Sequence, residues 1–214
     1  MSFSTMMEQM SMGMLRSMSI FFLTLLFSLP LGLVICFGRM SKNKIISGIF
    51  SFFISILRGT PLMLQLMVVF YFPYYLFGMS IGNWRFPAII VGFSINYAAY
   101  FAEIYRTGIE AIPVGQYEAA HIMGYSKTQT FFKIIFPQVI KIIIPAMTNE
   151  IITLVKDTSL AFSLSYIEMF TVAQQIAAKD TTFVPFVVAA IFYYMFNLIV
   201  SCVMRNVEKK LNYY

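Results

Sequence analysis

Four stretches of this chain carry no charged residue over roughly the length needed to cross a lipid bilayer: 17–38, 59–84, 86–102 and 181–204. A hydrocarbon core about 30 Å thick takes about 20 helical residues to cross. Backbone in lipid must satisfy its own hydrogen bonds, so each stretch is expected as helix. A fifth stretch, 139–160, carries Lys141, Glu150, Lys156 and Asp157. If it spans, that polar side must face something other than lipid, because a charge at a helix centre in the bilayer costs about 2.5–3.5 kcal/mol on insertion scales. The composition points the same way, with 11% charged residues against about 25% in soluble domains. The expectation is an all-α integral membrane protein, one transmembrane domain over 1–214, with five spans near 17–38, 60–80, 86–106, 139–160 and 182–204.

The first apolar run is too long for the 7–15-residue core of a signal peptide and reads as a retained span. Arg39, Lys42, Lys44 and Arg58 lie between spans one and two, Arg106, Lys127, Lys133 and Lys141 between three and four, and Arg205, Lys209 and Lys210 in the tail. Arg16, Arg85 and Lys179 fall on the other face. The positive-inside rule then places the N-terminus outside a cell (plasma or inner) membrane and the tail inside. Cationic loops against anionic lipid account for the net charge of +6 without any nucleic acid.

Residues 45–57 joined to span two would make a helix of over 30 residues, about 50 Å long and too long for the core. A break is expected near Gly59, with Thr60 and Pro61 as N-cap and first residue of a fresh helix. Between spans three and four lies a polar loop, about 112–137. Pro113 and Gly115 break the preceding helix, residues 116–123 form a short one, and Gly124 ends it in the left-handed region. Ser126 and Gln129 are spaced as a capping box for a second helix that stops at Pro137. Such a helix-turn-helix platform suits a soluble partner.

Glu118-Ala119-Ala120, three residues, Gly124, nine residues, Ile134, one residue, Phe136 and Pro137 resembles the EAA loop of ABC importer permeases. Arg58 to Leu66, Asn96 to Glu103 with Arg106, and Leu154 to Leu160 are similar to stretches of the polar amino-acid uptake branch, and the likeness covers about 55–165 in order. It implies a type I importer permease with a cytoplasmic coupling helix, on which Tyr117, Glu118, Ala119, Ala120, His121, Gly124, Ile134 and Pro137 serve ATPase coupling. It also implies partners: ABC ATPase subunits, a second permease (the same chain or a sister), an extracytoplasmic amino-acid-binding protein, and membrane lipid.

Asn149, Glu150, Lys156, Asp157, Thr158 and Ser159 then become substrate-binding candidates, able to receive an amino acid's ammonium and carboxylate. Inter-helix ion pairing that fixes the bundle is the competing reading for Lys156 and Asp157, which point about 100° apart and cannot pair with each other. Gln65 and Asn96 serve inter-helix hydrogen bonding as readily as substrate contact. Glu103 and Arg106, three apart, suit a local ion pair or gate at the inner end.

No phosphate-binding loop of the form G-x-x-x-x-G-K-[ST] is present, so ATP hydrolysis must come from a partner, with ATP and magnesium held there. No catalytic or metal constellation has plausible spacing, and no cofactor is expected on this chain. Cys36 and Cys202 read as small apolar side chains. The alternative to an ATP-driven permease is a self-sufficient channel or secondary carrier, against which the lack of an internal repeat weighs.

Overall fold

The computed structural model describes residues 2–78, 80 and 82–211; residue 79, inside the second expected span, lies outside the described residues. The chain runs α1 (Phe3–Arg39), α2 (Lys44–Gly59), α3 (Leu62–Phe77), α4 (Arg85–Glu110), α5 (Val114–Ile122) and α6 (Lys127–Thr130). A π turn (Phe131–Ile135) leads into α7 (Phe136–Asp157), followed by a 3-10 stretch (Thr158–Leu164), α8 (Met169–Asp180) and α9 (Val184–Leu211). Among the described residues, four helical stretches are long and apolar enough to cross a membrane, and five if α2 and α3 together make one broken span.

The centre of the bundle is α4, whose window is 72% buried against 17–39% for the other long spans. Phe93, Tyr97, Ala98 and Phe101 are sealed in its core face. Small residues let neighbours close on it. A Cβ at Gly92 would stand 2.8 Å from the Leu66 side chain of α3. Without a hydrophobic force between helices in lipid, such close backbone approach supplies the packing energy.

The helix containing the first span starts at Phe3, not near residue 17. Its N-terminal turns are held by α8. Met10 and Met14 are buried, and Arg16 donates to the Ile167 carbonyl at 2.9 Å. The fastening is Glu168, fully buried at the N-cap of α8. Its carboxylate accepts from the backbone N–H of Phe170 and Thr171 and from the hydroxyls of Thr171, Ser17 of α1 and Tyr193 of α9.

The break at Gly59 is present, with α2 and α3 meeting at 112°. The fresh helix starts one residue later than expected: Pro61 is the N-cap, and the Thr60 hydroxyl turns back to the Ile56 carbonyl. Pro137 does not stop a helix. The chain is helical from Lys127 to Leu164. The π turn before Pro137, where the Phe136 N–H reaches back to the Phe131 carbonyl, widens the helix and makes room for the ring.

Candidate functional site

Four polar residues of α7 form two adjacent stripes, because positions seven apart return to within about 20° on a 3.6-residue helix. Glu150 and Asp157 share the stripe turned toward α4, and Asn149 and Lys156 share an exposed one beside it. The Tyr97 hydroxyl of α4 donates to Asp157 Oδ2 at 2.7 Å. Among the described residues neither Glu150 nor Asp157 makes an ion pair. Glu150 lies within electrostatic reach of Arg58, and Asp157 of Lys156. The 3-10 stretch begins directly after Asp157, so the polar end of this span is a tightened turn and not regular helix.

One expected site residue turns elsewhere. Thr158 is fully buried and donates to the Val155 carbonyl, which places it in the core and not on the polar stripe. The Ser159 hydroxyl donates to the Lys156 carbonyl and keeps its acceptor lone pairs, on a side chain that is not buried.

Gln65 and Asn96 act together on the helix break. Both side-chain amides donate to the Leu57 carbonyl, at 2.8 and 3.3 Å, and the Asn96 amide also donates to Gln65 Oε1 at 2.9 Å. The end of α2 leaves carbonyls without helical partners, and these two amides supply partners for one of them. Of the two readings open for this pair, the structure brings forward the inter-helix bracket.

Glu103 and Arg106 make the expected local pair, with Nη2 to Oε2 at 2.7 Å, and Arg106 also reaches Glu110. Arg39 stands 3.9 Å from Glu103.

The polar loop folds as a docking elbow. The short helix starts at Val114, two residues earlier than expected. Gly124 has φ +82°, and the bonds Tyr125 N–H to Ala120 O and Gly124 N–H to His121 O complete a Schellman cap. The Ser126–Gln129 capping box is reciprocal. Ala120 is buried in the elbow, while Tyr117, Glu118, Ala119 and His121 are exposed. Ile134 packs against the small core of Ile112, Ile135 and Val139 that anchors the elbow, and Pro137 is exposed.

Sequence reasoning passed over Ile122 and Met123, 86% and 73% exposed at the tip. Two apolar side chains directly before a Gly-ended turn were the available signal. Tyr97 was passed over as well, although a tyrosine inside a span needs a partner for its hydroxyl.

The model of the family described as binding-protein-dependent transport system inner membrane component matches residues 28–213. The chain belongs to that family. It is the inner-membrane permease component of a transporter, and the ATPase is a separate subunit. The permease is similar to the L-cystine transport system permease protein TcyB of Bacillus subtilis (strain 168), 36% identical over 96% of this chain and 87% of that one. It is also similar to the arginine transport system permease protein ArtQ of the same organism, at 34% over 93% and 90%. Among solved structures, a crystal structure of an amino acid ABC transporter with histidines superposes with a TM-score of 0.86 at 30% identity, covering 98% and 99%. The inward-facing MetNI methionine ABC transporter, at 18% identity and a TM-score of 0.78, shares the fold.

Proposed function

We propose that this permease lines the passage of an ATP-driven importer of polar amino acids. The observation that carries the reading is the Glu150–Asp157 stripe on α7, two carboxylates in a span that make no ion pair among the described residues. A carboxylate without an ion pair inside a span is costly, and a passing ammonium group is a good partner for it. Similarity to permeases named for L-cystine and arginine transport supports the substrate class.

In this reading a second permease subunit closes the other side of the passage. Two ATPase subunits grip the α5 elbows, and an extracytoplasmic binding protein delivers substrate at the far end. The Lys and Arg distribution supports an N-terminus outside and a cytoplasmic elbow. ATP-driven closure of the ATPases moves α5. The motion passes through the continuous Lys127–Leu164 helix to Asp157, so the bundles rock and the passage alternates between the two sides.

The test is reconstitution with cognate partners into vesicles and uptake of radiolabelled L-cystine, L-glutamine and L-arginine. Uptake of at least one, lost when ATP, the ATPase or the binding protein is left out, supports the reading. Uptake that persists without the ATPase refutes it.

A further inference from the structure

Between α2 and α4 lies an open hollow of about 520 Å³ that the α7 stripe does not use, lined by Arg39, Ser51, Ser55, Arg58, Tyr100 and Glu103 among others. Its origin is the three-sided character of α2. Phe50, Ile54 and Leu57 turn toward the bundle core. Ile45, Ile49, Phe52 and Ile56 form an exposed apolar face. Ser51, Ser55 and Arg58, spaced four and three apart, share the third face and line the hollow.

The charge balance of the hollow favours an anion. Glu103 is the one carboxylate on its wall among the described residues, and Arg106 already engages both of its oxygens. Arg39 spends one donor on Ser47 and lies at the limit of pairing with Glu103. Arg58 makes no ion pair among the described residues. Its guanidinium instead lies over the Tyr100 ring, 5.2 Å from the centroid, a cation–π contact that helps to hold the group in place. The Gln65–Asn96 bracket holds the Leu57 carbonyl, one residue before Arg58, so the base of that side chain is fixed as well.

We propose that this hollow is a carboxylate subsite, in which Arg58 takes the α-carboxylate of an amino acid whose ammonium end meets Glu150. The inference rests on the amino-acid reading above and adds to it the group that holds the substrate's negative end. Glu150, on the α7 stripe, lies within electrostatic reach of Arg58. A guanidinium fork matches a carboxylate with two parallel hydrogen bonds. Ser51 and Ser55 add neutral donors, and Gln65 and Asn96 are positioning residues acting through Arg58. Lys156, on the exposed stripe of α7, is left out of this subsite.

The experiment uses the assembled transporter in nanodiscs without the binding protein, so that the partner's selectivity does not mask the permease's own. Equilibrium binding is measured for L-cystine, L-glutamine and L-arginine and for their carboxamides, which keep the ammonium group and lose the negative charge. The parent is expected to prefer acid over carboxamide by about tenfold or more, the worth of a charge-assisted hydrogen bond. Arg58→Gln should bring the ratio near one, and Arg58→Lys should retain most of it. Because the ratio is taken within each variant, a general loss of affinity does not mimic the result. A preference intact in Arg58→Gln overturns the subsite and leaves the amino-acid reading standing. A preference that follows the anionic-lipid content of the disc and not Arg58 assigns the arginines to lipid headgroups and overturns it too. A parent that binds none of the three removes the amino-acid reading and the subsite with it.

Discussion

Glu168→Ala removes one side chain that fastens three helices. The carboxylate caps α8 through two backbone N–H groups, a role worth about 1 kcal/mol at a helix N-terminus. It also receives the hydroxyls of Ser17 and Tyr193. Ser17 is fully buried, and a buried donor left without its partner costs about 1–3 kcal/mol. Ser17 keeps a weak bond to the Gly13 carbonyl, at 3.4 Å, which brings its share to the low end. With the Tyr193 hydroxyl also left without its acceptor, at up to about 2 kcal/mol more, the sum is about 2–4 kcal/mol, and for a chain of this length each kcal/mol lowers the melting temperature by about 2–4 °C. Thermal unfolding of the purified permease in detergent should therefore shift down by about 5–15 °C. Amide exchange should rise first in Met169–Asp180, since α8 loses its cap and its tie to α1 together. Glu168→Gln keeps an acceptor oxygen and should lose about half as much. A Glu168→Ala protein that melts within about 1 °C of the parent would refute the assignment of this residue as the fastening of α1, α8 and α9.

Three further outcomes test other parts of the account. Ile122→Asp should abolish co-purification of the ATPase while leaving the permease's melting temperature unchanged, because Ile122 is 86% exposed at the elbow tip; a stable complex with the ATPase would remove the tip from the interface. Asn96→Leu should lower stability by about 1–3 kcal/mol in denaturant titration, since the Gln65 amide oxygen loses its Asn96 donor; an unchanged midpoint would count against the bracket at the helix break. Single cysteines near Trp84 and near Thr181 should react with an impermeant thiol reagent from outside the cell, and one near Ser126 should not; the reverse pattern overturns the orientation and the ATPase docking with it.

Features whose causes lie close in sequence were legible before the fold was seen. Gly124 had to adopt a left-handed conformation to end a helix, Ser126 and Gln129 had the spacing of a reciprocal cap, and a helix running through Gly59 would have overshot the bilayer. Features set by distant partners were not. Nothing in residues 3–16 forecasts that this Met-rich segment continues the first span, because the residues holding it, Ile167 and Glu168, are about 150 positions away. Tyr97 and Asp157 are 60 apart, and only packing of α4 on α7 brings them together. The rule that proline ends a helix failed at Pro137 because the preceding π turn absorbed the ring. In the candidate site, Glu150 and Asp157 were legible as polar residues of a span, while their common face toward α4 came from the fold. The burial of Thr158 did not, since it depends on where the 3-10 turn begins and on what packs beside it.

The central claim is that substrate contact lies on the Glu150–Asp157 stripe while coupling to ATP lies on the elbow ended by Gly124. The most direct measurement takes uptake and ATP hydrolysis from the same reconstituted vesicles carrying Asp157→Asn or Gly124→Val. Asp157→Asn keeps the shape and removes the charge, so uptake should fall by about tenfold or more while the ATPase stays bound and continues to hydrolyse. Gly124→Val places a β-branched residue at φ +82°, at a cost of at least about 1 kcal/mol, so ATPase binding and uptake should fall together. Full uptake in Asp157→Asn, or full substrate-stimulated hydrolysis in Gly124→Val, would contradict the account.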